Sequence, residues 1–187
     1  MRVSFQVSAL EPKRFELVRN LLPQVSLVGV LVNSDNPNAK NQDLQAAVRA
    51  SGLQLLILEA RSGADIDTAF ATLVQQHGGV LLVTSDVLFD IQRHQLVDLA
   101  ARNTIPTMYP WRGFADAGGL MSYGNSLSGA IQHGGLYVGR ILKGDKPADL
   151  PVWQPTKFEF VINLKAAKAL GIAIPSTLLT FADEVIE

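Results

Sequence analysis

The feature that most restricts this chain is the alternation of short apolar runs with stretches of helical period, each separated by capping residues or glycine. A strand covered on both faces reads as a continuous apolar run, whereas a helix lying on a sheet repeats its apolar residues every three or four positions. Pro12 to Leu22 predicts a helix with Phe15, Val18, Leu21 and Leu22 on one face, and Pro23 ends it. Val25 to Val32 predicts a buried strand, interrupted only by Ser26 and Gly29. Asn36 suits the cap of a second helix, with Pro37 at its first position, where a missing N–H costs nothing. Leu44, Ala47 and Val48 are its inward face, and Gly52 suits the left-handed residue past its end.

Leu53 to Leu58, Val80 to Val83 and Ile105 to Met108 predict three further strands. Between them, Ser62 and Asp65 open a helix carrying Ile66, Ala69, Phe70, Leu73 and Val74, which His77-Gly78-Gly79 stops. Ile91 to Arg102 predicts another, bearing Leu96, Leu99 and Ala100. Since parallel crossovers are right-handed in nearly all cases, repeated β-α units of this kind predict an α/β fold with a doubly wound, open, parallel sheet.

After Tyr109 the regularity changes. Gly118-Gly119 leads into an extended piece, Leu120 to Tyr123, and then a helix from Ser126 to Leu142 with a broad apolar face. Gly134, Gly135 and Gly139 weaken that helix, so close packing against another surface is the expected compensation. A turn at Gly144 to Asp149, a strand at Phe158 to Ile162, and a short helix capped by Asn163 and closed by Gly171 complete the reading.

Composition removes several function classes. The net charge of -1 comes without any basic cluster, which argues against nucleic acid as a partner. With no cysteine, thiol catalysis and thiolate metal sites are excluded. His77, His94 and His133 have no partners at metal spacing, and there is no nucleophile elbow, Walker loop or dinucleotide fingerprint. The reading is a protein that is not an enzyme and needs no metal or cofactor. The longest apolar stretch, Val25 to Val32, falls far short of the ~18 residues that cross a bilayer. Met1 to Phe5 lacks the layout of a secretory signal peptide.

In such sheets ligands bind beyond the carboxyl ends of the strands. Three loops should reach that edge: Asn33 to Asn38, Thr84 to Asp90 and Tyr109 to Arg112. They offer amides, hydroxyls, a carboxylate and aromatic rings, the mixed lining of a site for a small polar or zwitterionic molecule with an apolar part. Asn33, Ser34, Asn36, Ser85, Asp86, Phe89 and Tyr109 are the candidates. For the first loop and Asp86 a plainer reading also stands, in which these residues cap helices or solvate a turn. Phe89, Tyr109 and Trp111 are expected to face water for a ligand's sake. A phosphoacceptor receiver domain shares this sheet and puts an aspartate where Asp86 falls, but it needs more carboxylates after the first strand and a lysine after Met108, where Tyr109-Pro110 stands.

Four segments together resemble one family: VLVNSDNPNA at 30–39, GGLMSYG at 118–124, YVGRILKGDKPADLP at 137–151 and QPTKFEFVINLK at 154–165. They are similar to the ABC-transporter substrate-binding proteins of the type I periplasmic-binding class. The resemblance implies a bilobed binding protein in which a small ligand is clamped between two α/β lobes joined by three crossing segments, and a membrane permease recognises the closed form. Similar members bind tryptophan, phenylalanine or tyrosine, which implies an amino-acid-like ligand. By this resemblance residues 1–187 correspond to the second lobe alone, starting near the first crossing at Val3-Ser4-Phe5. The first lobe and the signal peptide are missing, and the location is periplasmic if the chain is part of an exported precursor. Tyr123 at the second crossing joins the candidate ligand-binding residues. The helix within residues 124–149 is expected to have lost its partner lobe, which predicts a homodimer through it and through the crossing segments Met121 to Tyr123 and Leu150 to Trp153. A half-clamp supplies contacts from one side only, so weak binding or none is expected. Two alternatives stand beside solute binding: a regulatory or assembly module that keeps the fold, and a small flavodoxin-like enzyme.

Overall fold

The computed structural model describes residues 10–36, 42–151 and 157–187. In chain order the elements are α1 (Glu11–Leu21), β1 (Leu27–Val32), α2 (Gln42–Ala50), β2 (Gln54–Glu59), α3 (Gly63–Gln75), β3 (Val80–Val83), α4 (Val87–Ile91), α5 (Arg93–Arg102), β4 (Thr107–Tyr109), α6 (Arg112–Asp116), β5 (Met121–Asn125), α7 (Leu127–Leu142), β6 (Phe158–Asn163), α8 (Leu164–Ala169), α9 (Ser176–Phe181) and β7 (Glu184–Ile186). They build one seven-stranded sheet in the order β2-β1-β3-β4-β5-β6-β7. The first five strands are parallel, as predicted. The parallel pattern stops at β6, which runs antiparallel to β5, with Asn125 opposite Phe158, and β7 follows parallel to β6.

Strand alternation sends side chains to two cores. Val28, Val30 and Val32 of β1, Val80 and Leu82 of β3 and Met108 of β4 meet Phe15, Val18 and Leu21 of α1 and Leu44 and Val48 of α2. Leu31, Leu81 and Val83 point the other way, onto Ile66, Phe70 and Leu73 of α3 and Leu96 of α5. Each fully buried side chain of this size contributes about 1.5–3 kcal/mol. Gly29 lets α3 come close, because a Cβ there would lie 2.7 Å from Leu73 Cδ1.

The helix starts follow local chemistry. Ser62 Oγ accepts from Asp65 N (3.3 Å), while Asp65 Oδ2 accepts from Arg61 N (2.9 Å) and holds the carboxyl below its ordinary value. Ser126 caps α7 and Asn163 caps α8 in the same way. Several boundaries differ from the sequence expectation. β1 starts at Leu27, and the helix expected over 91–102 starts at Arg93, after a separate short helix that ends at Ile91. α4, α6, α9 and β7 were not anticipated. On exposed surface, Arg112 of α6 pairs with Glu184 of β7, and this holds the Glu184 carboxyl below its ordinary value. Among the described residues no helix is long and apolar enough to cross a membrane.

α7 is the exception to the packing. Ala130 and Tyr137 are buried, and Tyr137 donates its hydroxyl to the Pro151 carbonyl (2.8 Å). Ile131 (75% exposed), Leu136 (64%) and Leu142 (82%) lie open. A Cβ added at Gly134, Gly135 or Gly139 would touch nothing.

Candidate functional site

The order β2-β1-β3 makes the space between β1 and β3 the point where crossovers diverge. α2, which follows β1, packs on one face of the sheet, and α5, which follows β3, packs on the other. The chain therefore opens a crevice beyond Val32 and Val83. Asp86 stands in it. Its Oδ1 accepts from Asn33 Nδ2 (3.0 Å) and from the Leu88 amide (2.9 Å), and its Oδ2 accepts from Asn36 Nδ2 (2.8 Å). A carboxylate has about four acceptor positions, so these three leave room for about one further donor. Asn33, Asn36, Ser85 and Asp86 are all half-buried. The plain capping reading of Asp86 holds as well, since it is the N-cap of α4. Asn33 Oδ1 is used locally, accepting from the Asp35 amide (3.1 Å).

The other sequence candidates distribute unevenly. Ser34 Oγ accepts from Arg61 Nε (2.8 Å), and Arg61 also pairs with Asp35 (3.4 Å), which places an exposed cation beside the rim. Tyr123 is half-buried on β5, two strands away from β3, and its ring stacks on Phe158 (6.0 Å between centroids) and meets Phe160 edge-on (6.3 Å). It lines a cavity of about 340 Å³ with Leu17, Phe158, Phe160 and Phe181, on the α1 side of the sheet.

Phe89 and Tyr109 correct the expectation that the loop aromatics face water. Both are fully buried in the core shared with α3, α5 and α6. Phe89 lies within α4, so the loop that was read as open is helical. Tyr109 stacks on Phe114 (4.8 Å), and a Cβ at Gly119 would lie 2.6 Å from its ring; burial pushes its hydroxyl pKa up. Large apolar bodies in short polar segments found the core instead of solvent. The expected helix start at Asn36-Pro37 falls outside the described residues, and α2 is described from Gln42.

Sequence reading missed the most buried charges. Arg14 (0% exposed) and Glu11 (2%) lie on α1 beneath the rim. Arg14 donates from Nε to the Tyr123 carbonyl (2.6 Å), from Nη1 to Glu11 Oε1 (2.7 Å) and Ser85 Oγ (3.3 Å), and from Nη2 to the Pro110 carbonyl (3.4 Å). Burial pushes the Glu11 carboxyl above its ordinary value, against the opposing pull of Arg14 and of the Ser85 amide. Among the described residues Glu11 Oε2 has no hydrogen-bond partner. The signal was available: Glu11, Arg14, Val18 and Leu21 follow one another at three- and four-residue spacing, so both charges occupy the apolar stripe.

The arrangement suits recognition of a polar group by fixed hydrogen bonds. Among the described residues no group of three His, Asp or Glu side chains is placed to hold a metal.

Known proteins share this architecture. A "Tyrosine-binding protein" of Clostridioides difficile (strain R20291) is 26% identical over 162 residues, which are 86% of this chain and 47% of that protein. The chain thus spans about half the length of this curated relative. A conserved domain protein of Vibrio cholerae superposes with a TM-score of 0.83 at 25% identity, covering 94% of this chain and 60% of that one. An ABC domain from Streptococcus pneumonia, solved in complex with L-Trp, gives 0.81 at 28% identity, covering 94% and 62%. The profile of the family described as ABC transporter substrate binding protein matches residues 4–186, and so the chain belongs to that family.

Proposed function

We propose that this lobe is one side of a noncatalytic solute site, taking an amino-acid-like ligand as part of the extracytoplasmic binding component of an ABC importer. The observation that carries the reading is the Asp86 carboxylate at the β1/β3 crevice, held by three donors and open to about one more. An ammonium group would supply that remaining donor. Two relatives, a tyrosine-binding protein and a domain solved in complex with L-Trp, support an amino acid as the class. Binding of this kind works by differential affinity for one arrangement over another, with no bond made or broken.

Isothermal titration with L-tyrosine, L-tryptophan and branched-chain amino acids tests the reading. Weak saturable heat is expected from at least one at millimolar ligand, since one lobe supplies contacts from one side only, and Asp86→Asn should abolish it, because an amide nitrogen would face Asn33 or Asn36 donor to donor. Silence across the panel, or binding unchanged in Asp86→Asn, sinks it.

The open face of α7 supports a second contact. Gly135 and Gly139 floor a groove flanked by Gln132, Leu136, Arg140 and Lys143, while Ile131 and Leu142 stand exposed beside it. Groove and ridge on one helix are self-complementary under a twofold axis, which favours a second copy as the occupant. Light scattering on wild type and Gly139→Leu should show a dimer that dissociates in the variant; a wild-type monomer at tens of micromolar refutes this.

A further inference from the structure

The ion pair of α1 is placed where stability alone gives no reason for it. Phe15, Leu17, Val18 and Leu21 already bury the apolar side of the helix. Taking two charges out of water costs several kcal/mol per ion, and well-packed apolar residues in their place are often neutral or stabilising. Yet Arg14 and Glu11 are as deeply buried as the apolar core around them. What distinguishes Arg14 is the set of groups it holds. Ser85 lies two residues past β3, Pro110 directly follows β4, and Tyr123 is on β5. One guanidinium therefore joins the segments just past β3 and β4 to the middle of β5, and its planar fork is the side chain suited to doing so.

The surrounding backbone is built around the same point. A Cβ at Gly124 would lie 1.9 Å from the Pro110 carbonyl oxygen, the same oxygen that accepts from Arg14 Nη2. Ser85 is joined directly to Asp86, whose carboxylate takes the hydrogen bonds of Asn33 and Asn36. A continuous polar chain thus runs from α1, through Ser85, to the crevice between β1 and β3.

We propose that Glu11 and Arg14 are a positioning pair for the solute rim, a buried clasp that ties the segments following β3 and β4 to β5 so that Asp86 and its two asparagine donors are set before the ligand arrives. Neither residue touches the ligand. The assignment of Asp86 as the ligand's partner rests on the solute-binding reading above; the clasp itself does not.

The test uses Glu11→Gln/Arg14→Met, which removes both charges together and avoids stranding one of them in the core, with Arg14→Lys as the conservative comparison. Amide hydrogen exchange is read on ligand-free protein at Leu88, whose N–H is held by Asp86, and at Thr84, whose N–H bonds the Leu31 carbonyl. The double variant should melt cooperatively close to wild type, while Leu88 exchanges about tenfold faster and Thr84 is little changed. Arg14→Lys should lie between, because an ammonium reaches fewer of the acceptors. Affinity for L-tyrosine and L-tryptophan is measured on the same proteins, with a loss of about tenfold expected in the double variant. Wild-type exchange at Leu88 in a folded double variant overturns the proposal, as does undiminished affinity. If wild type binds neither amino acid, the solute reading fails by itself, and the exchange result still decides the clasp.

Discussion

Alanine at Gly124 should be among the most damaging single-methyl changes in this molecule. The added carbon would lie 1.9 Å from the Pro110 oxygen and 3.1 Å from its carbonyl carbon, both backbone atoms. An unstrained C···O approach needs about 3.3 Å or more, so one segment must retreat by well over an ångström. Neither can do so cheaply. Gly124 is registered against Glu159 in the β5–β6 ladder, and the Pro110 carbonyl is engaged by Arg14. Overpacking costs about 1–3 kcal/mol, occasionally more, and a clash between two backbones belongs at the upper end. For a chain of this size that corresponds to a fall of roughly 6–12 °C in the thermal midpoint. The control is Gly134→Ala on α7, where a Cβ meets nothing and the gain in helix propensity is about 0.8–1.0 kcal/mol. Thermal melts by circular dichroism at one protein concentration should move the two variants in opposite directions. A Gly124→Ala midpoint within about 2 °C of wild type would refute the reasoning.

Two further outcomes follow from the electrostatics and the caps. Burial raises the Glu11 carboxyl above 4.5, so the folded chain keeps that proton to higher pH than the unfolded chain does. Its stabilising contribution is complete below about pH 4.5 and fades as pH rises through the folded value. Urea titrations should therefore show wild type losing stability relative to Glu11→Gln as pH rises above the ordinary carboxylate range, and the opposite trend contradicts the argument. Ser62→Ala removes the acceptor for the Asp65 amide and should cost about 1 kcal/mol in the same assay, with no change counting against a working cap.

Where the sequence was legible, one physical signal acted alone. Val80 to Val83 is a fully buried strand with the predicted bounds, because four apolar residues between Gly79 and Thr84 leave no other reading. Ser62, Ser126 and Asn163 announced their helices for the same reason. Legibility failed where elements were too short to show a period. Val87–Ile91 is barely more than one turn, and its Asp86 cap looks the same as a loop aspartate. The rim itself was read from strand ends, which brought Asn33, Asn36 and Asp86 into one cluster, yet Phe89 and Tyr109 were assigned by residue type and went to the core. Arg14 escaped because a basic residue beside Lys13 reads as a solvated face, while its four partners are 3, 71, 96 and 109 positions away. No window along the chain contains that set.

The reversal of β6 separates what can be cut from what cannot. Asn125 and Phe158 stand opposite each other across the ladder, one strand spacing apart at about 5 Å. The whole excursion that carries α7 departs and returns at neighbouring points, so a two-residue hairpin turn has the right span to replace it while every strand stays in register. α7 is thus an interchangeable cassette, a place to graft a different helix or a reporter. α1 is the opposite, since Arg14 stitches it to Ser85, Pro110 and Tyr123, and its removal would unpick that edge of the sheet.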